Sequence, residues 1–189
     1  MRTSGPIRRR GKRAELGTSL IELLMALALL SVGVLSHASL SLTNQRQCRA
    51  NLEHRLAWEG LKSQVARLRS WPLTDCFAAF DGSLDNDPAG APGSEFAIAG
   101  LQPSETAFGS EVGVVEWPTL QDAEGRFVIR EDLDDADFGL PADLDGDGVI
   151  DSEPKDATYR RIPVRVVARW HGVYGEQSLS MTTWLGDLQ

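Results

Sequence analysis

Between Asp143 and Asp151 the chain reads Asp143-Leu144-Asp145-Gly146-Asp147-Gly148-Val149-Ile150-Asp151. Carboxylates at alternate positions of a tight loop converge on one point, and a glycine at the sixth position permits the sharp turn. The order D-x-D-x-D-G-x-x-D matches the first nine positions of a calcium loop, in which hard oxygen donors wrap one cation and the seventh residue supplies its backbone carbonyl. The candidate ligands are Asp143, Asp145, Asp147, the carbonyl of Val149, Asp151 and Glu153. The twelfth position, where an EF-hand places a bidentate glutamate, is Pro154, so Glu153 or Asp156 must complete the set. The flanks Phe138-Gly139-Leu140-Pro141 and Pro154-Lys155 do not favour helix. The pattern therefore predicts an isolated calcium loop over residues 143–156, of the weak extracellular class with a Kd of about 10⁻⁴ to 10⁻³ M. The competing reading is an unliganded acidic turn, in which the carboxylates from Glu131 to Asp151 simply repel one another.

Other chemistry is sparse. His37, His54 and His171 are scattered along the chain, and no nucleophile elbow, phosphate loop or zinc pattern is present. The expectation is that the chain is not an enzyme. Trp117, Trp170 and Trp184 alternate with polar neighbours and read as sheet ballast before they read as a ligand platform.

The elements that must carry the acidic loop begin with a strong charge asymmetry. The 189 residues have a formal net charge of -8. Residues 1–17 hold six basic side chains against Glu15 alone, so the leader is +5 and the remainder -13. A basic stub followed by an apolar run predicts a segment retained on the cytoplasmic side, with the acidic remainder translocated out of the cytoplasm. An acidic head also argues against nucleic acid as a partner, since phosphate binding needs clustered Lys and Arg.

From Thr18 to Leu42 the only ionisable side chains are Glu22 and His37. About 20 apolar residues span a bilayer core, so this segment is long enough. A carboxylate five residues into it needs a reason, because an acid at the centre of a spanning helix costs roughly 2.5 to 3.5 kcal/mol. The residues Gly17-Thr18-Ser19-Leu20-Ile21-Glu22-Leu23-Leu24 resemble the recognition site of the type IV prepilin family. There a glycine precedes the cut made by prepilin peptidase, and a glutamate stands fifth after it. The resemblance implies cleavage between Gly17 and Thr18 and N-methylation of Thr18, which stands where the family usually has phenylalanine. It also implies lateral packing with other pilin subunits, in which Glu22 neutralises a neighbour's terminal ammonium. The plainer readings are a secretory signal cut after Ser36-His37-Ala38, or an uncleaved anchor.

Downstream, Leu52, Leu56, Leu61, Val65 and Leu68 recur at three-to-five-residue spacing, the mark of one apolar helical stripe. Trp71-Pro72 ends it. The predicted organisation is a leader over 1–17, removed on maturation; a transmembrane and assembly helix over 18–42; an amphipathic continuation over 43–70; and a globular head over 71–189. Phe77 to about Gly109 reads as a long surface connection. Strand-length alternations follow at Val112–Trp117 and Arg126–Arg130. A final hairpin is predicted with Ile162, Val164, Val166, Ala168 and Trp170 on its dry face, and Pro163 marks a local edge. A helix over 48–70 separates Cys48 from Cys76 too widely for a disulfide.

The basic strand, Trp170 before a glycine-containing turn, and the strand Ser178-Leu179-Ser180-Met181-Thr182-Thr183-Trp184-Leu185 are similar to the end of PilV-like minor pilins. Together the two resemblances imply an α+β pilin-like fold and a minor subunit of a type IV pilus, displayed at the cell surface. The alternatives are a type II secretion pseudopilin, which shares the N-terminal site, and a membrane-anchored calcium-dependent adhesin that never polymerises.

Overall fold

The computed structural model describes residues 19–81, 87–105, 110–122, 126–155 and 159–186, and its longest element is helix α1, Leu20–Leu68. Leu, Ala and Met dominate the first half, and these lose little side-chain freedom in a helix. The hydroxyls of Ser31 and Thr43 donate back to the carbonyls of Leu27 and Ser39 at 2.8 and 3.0 Å, so the helix satisfies its own polar groups. Residues up to Gln45 form one compact unit and those from Arg46 a second. In the first unit the large apolar side chains from Leu20 to Leu42 are all exposed. Among the described residues, α1 alone is long and apolar enough to cross a membrane.

In the second unit α1 buries Glu53, Ala57, Leu61, Gln64, Val65 and Leu68, which fall three or four apart on one stripe. The beginning of that stripe differs from expectation. Leu52 is 55% exposed and Leu56 only half-buried, while Glu53 and Ala57 take the inward positions. The cause is a polar anchor: the Glu53 carboxylate accepts the Val173 amide at 3.1 Å. Beside it, His54 meets the buried Trp170 edge-on with ring centroids 5.3 Å apart.

Helix α2, Leu73–Phe80, and strand β1, Glu95–Phe96, occupy part of the segment expected to be a surface connection. They form because Cys76, Ala79, Phe80, Phe96 and Ile98 are buried. Trp117 fixes α2 by donating its indole N–H to the Phe80 carbonyl at 3.0 Å, and its ring meets Phe77 edge-on. No disulfide joins Cys48, which is exposed, to Cys76, which is buried.

The main sheet is antiparallel in the order β1, β2 (Gly113–Glu116), β5 (Arg161–Gly172), β6 (Gly175–Gly186). Strands β3, Thr119–Gln121, and β4, Phe127–Ile129, pair separately. The predicted dry face is present, with Ile162, Val164, Val166, Ala168 and Trp170 all fully buried. Strand β5 is central overall, yet β2 pairs only with Arg165 to Ala168. The amides of Arg169 and His171 point away from β6, to the carbonyls of Val112 and Gln102. By the same alternation Pro163 faces a side on which no strand pairs with it among the described residues, and it forfeits no ladder bond. The result is an α+β arrangement of one long helix and a small antiparallel sheet, matching the coarse fold expectation.

Candidate functional site

The acidic loop is built around Leu144, which is fully buried between two aspartates. Its carbonyl accepts the amides of Arg160 and Arg161 at 2.8 and 3.1 Å, and so ties the loop to the start of β5. At the other end, the Lys155 amide donates to the Ile129 carbonyl of β4 at 3.0 Å. Within the loop each acid bonds a downstream amide. Asp143 takes Gly146 and Gly148, Asp145 takes Asp147, Asp147 takes Val149, and Asp151 takes Glu153, all between 2.6 and 3.1 Å. Gly148, at the predicted turn, has φ +86°, which side chains rarely adopt.

The carboxylate that closes this loop is Glu131, from the segment just after β4. It is 0% exposed, and it accepts the amides of Leu144 at 2.6 Å, Asp145 at 3.2 Å and Asp151 at 3.3 Å. Oxygens of Glu131, Asp143 and Asp145 lie within 4.8 Å of one another and could hold a metal ion. Asp147, Val149 and Glu153 are exposed and stand outside that group, Asp151 lies at its margin, and Asp156 falls outside the described residues. The sequence reading missed Glu131 as a candidate ligand. The signal was the proline at position twelve, since a loop lacking its last acid must borrow one from elsewhere.

A cation is already present in the cluster, and it belongs to the protein. The Lys155 ammonium lies 2.6 Å from Asp145, 3.3 Å from Asp151 and 3.6 Å from Glu131. Its hydrogen bond to Asp145 holds that carboxyl below the usual carboxylate range and raises Lys155 above the ordinary lysine value. The aspartates therefore do not face each other uncompensated. Around Lys155, oxygens of Asp145, Asp151 and Glu131 converge on a point of cation size, and every donor is a hard oxygen.

A second buried acid fixes the β5–β6 turn. Glu53 bonds the Val173 amide and pairs with Arg49 at 3.4 Å. A Cβ placed on Gly172 would lie 2.5 Å from the Glu53 carboxylate, so glycine is required for that approach.

At the other end of the chain, Gly17 and Thr18 lie outside the described residues. Glu22 sits in the first turn of α1, its amide bonded to the Ser19 carbonyl at 2.9 Å. Its side chain is exposed, and among the described residues no cationic side chain pairs with it. Comparison with known protein families, with curated proteins and with solved structures finds no match to this chain.

Proposed function

We propose that this chain is a minor type IV pilin-like subunit, processed by prepilin peptidase after Gly17 and methylated at Thr18. Its first helical unit then packs against other pilin subunits. The observation that carries this reading is Glu22: a carboxylate on an otherwise apolar helix surface, with no cationic partner among the described residues, next to a sequence that resembles a prepilin peptidase recognition site. In a bundle of such helices the ammonium at position 18 of a neighbour compensates it, so the acid is tolerated only on assembly. The chain resides in the inner membrane with its basic leader in the cytoplasm until cleavage, and its head reaches the periplasm or the cell surface. Shearing fibres from cells and probing them for the chain tests this reading. It should cofractionate with pilin subunits and fall back to the membrane when the peptidase is absent. Cofractionation with secretion components instead assigns it to a type II pseudopilus.

The loop over 143–156 is read as a calcium site. The support is the all-oxygen donor set, the cation-sized convergence that Lys155 marks, and the buried Glu131 in place of a twelfth-position glutamate. Asp143, Asp145, Asp151 and Glu131 would hold the ion, whose role is to neutralise the loop and stiffen its junction with β5. A melting temperature that rises in millimolar calcium and falls with chelator supports this, and one that moves with neither removes it.

A further inference from the structure

The thirteenth residue of the acidic loop is a lysine whose backbone and side chain do different work. Its amide is fixed to Ile129 of β4, while its side chain turns inward and is only 8% exposed. Three carboxylates from separate points of the chain, Asp145, Asp151 and Glu131, surround the ammonium within 3.6 Å. All three are among the acids proposed above to hold the ion, and Asp145 and Glu131 also belong to the group whose oxygens lie within 4.8 Å of one another. A divalent ion and this ammonium cannot share the same oxygens, because two cations in contact inside a poorly solvated cluster repel strongly. The side chain has four rotatable carbons beyond a fixed backbone, so it can leave without unfolding the loop.

We infer that Lys155 is the loop's built-in cation, holding the carboxylates together when calcium is scarce and swinging into solvent when calcium enters. This rests on the calcium reading above and adds to it a competitor that sets the affinity. The consequence is a loop that keeps its shape in both states. Calcium exchanges one counter-ion for another and does not fold the segment from scratch. Binding is weakened by the work of displacing the ammonium, which suits a head that meets calcium only outside the cytoplasm.

The test uses the mature chain in detergent. In the first arm, amines are acetylated with and without calcium chloride, and peptides carrying Lys155 and Lys62 are quantified by mass spectrometry. Lys62, exposed on α1, is the internal reference. Calcium should raise the Lys155-to-Lys62 labelling ratio about tenfold, the difference between a side chain under a tenth exposed and a solvated one. In the second arm, calorimetric calcium titration of K155M should give a Kd about tenfold lower than that of the unmodified chain. Calcium binding to K155M but not to the unmodified chain would overturn the exchange, since the lysine then never leaves the site. If both proteins bind calcium with equal affinity and Lys155 labelling does not change, the competitor role is wrong and the calcium site stands. If neither binds at millimolar calcium, the site itself is wrong. Should K155M fail to fold, the labelling arm on the unmodified chain decides alone.

Discussion

Two carboxylates, Glu22 on the apolar half of α1 and the buried Glu131 of the head, are treated in opposite ways by the same chain. Glu131 is completely buried and fully served within its own unit, with three amides and the Lys155 ammonium around it. Glu22 lies on an exposed apolar helix with no cationic partner among the described residues. A carboxylate withdrawn from water is stable only when its charge and lone pairs are answered. The head answers its acid internally, whereas among the described residues the first helical unit offers its acid no cationic partner. On the function proposed above, a neighbouring subunit answers it, and the contrast is then one between a self-sufficient domain and an assembly element.

The contrast predicts different losses. Glu22→Ala should leave membrane insertion intact or slightly improved while cutting the chain's recovery in sheared fibres by about tenfold or more, the effect of losing a buried charge partner. Quantitative immunoblotting of membrane and fibre fractions measures both, and equal fibre recovery would mean that Glu22 has no role in assembly. Glu131→Ala should instead damage the head. Leaving three amides and an ammonium without their acceptor should lower its unfolding free energy by about 3 to 5 kcal/mol, read from denaturant melts followed by tryptophan fluorescence.

Smaller effects sharpen the picture of the head as self-sufficient. Gly172→Ala forces a Cβ to 2.5 Å from the Glu53 carboxylate and should cost about 1 to 3 kcal/mol in the same melts. Burial pushes the Cys76 thiol up to about 12, so in the folded head it stays neutral well above the ordinary thiol value. The unfolded chain ionises first as pH rises, near about 8.5. Native stability contributed by this site is therefore complete below that value and declines above it, until the folded thiol also ionises. Alkylation at pH 9 should modify Cys48 rapidly and Cys76 only on unfolding, and equal rates would mean that α2 does not seal its site.

How far the sequence announced all this follows from the reach of each signal. Helix α1 and the β5–β6 hairpin were legible because their patterns repeat over many residues, so single exceptions such as Pro163 did not obscure them. Helix α2 and strands β1 and β3 were not, because they are short and are fixed by distant partners such as Trp117 and Phe80. The start of the helical stripe was misassigned at Leu52 and Leu56, since apolar type alone cannot show that Glu53 has an amide waiting 120 residues away. In the loop, the aspartates and glycines carry local rules and could be read directly. Glu131 and Lys155 act across the fold, one from before the loop and one at its thirteenth position, and no spacing rule within the first nine residues reveals them.

The most direct measurement of the central claim is the intact mass of the chain recovered from cells, with sequencing of its N-terminal peptide. The account predicts a polypeptide beginning at Thr18 and carrying one added methyl group on its terminal amine. A chain that keeps its arginine-rich leader, or one that begins at Ser39, would contradict it.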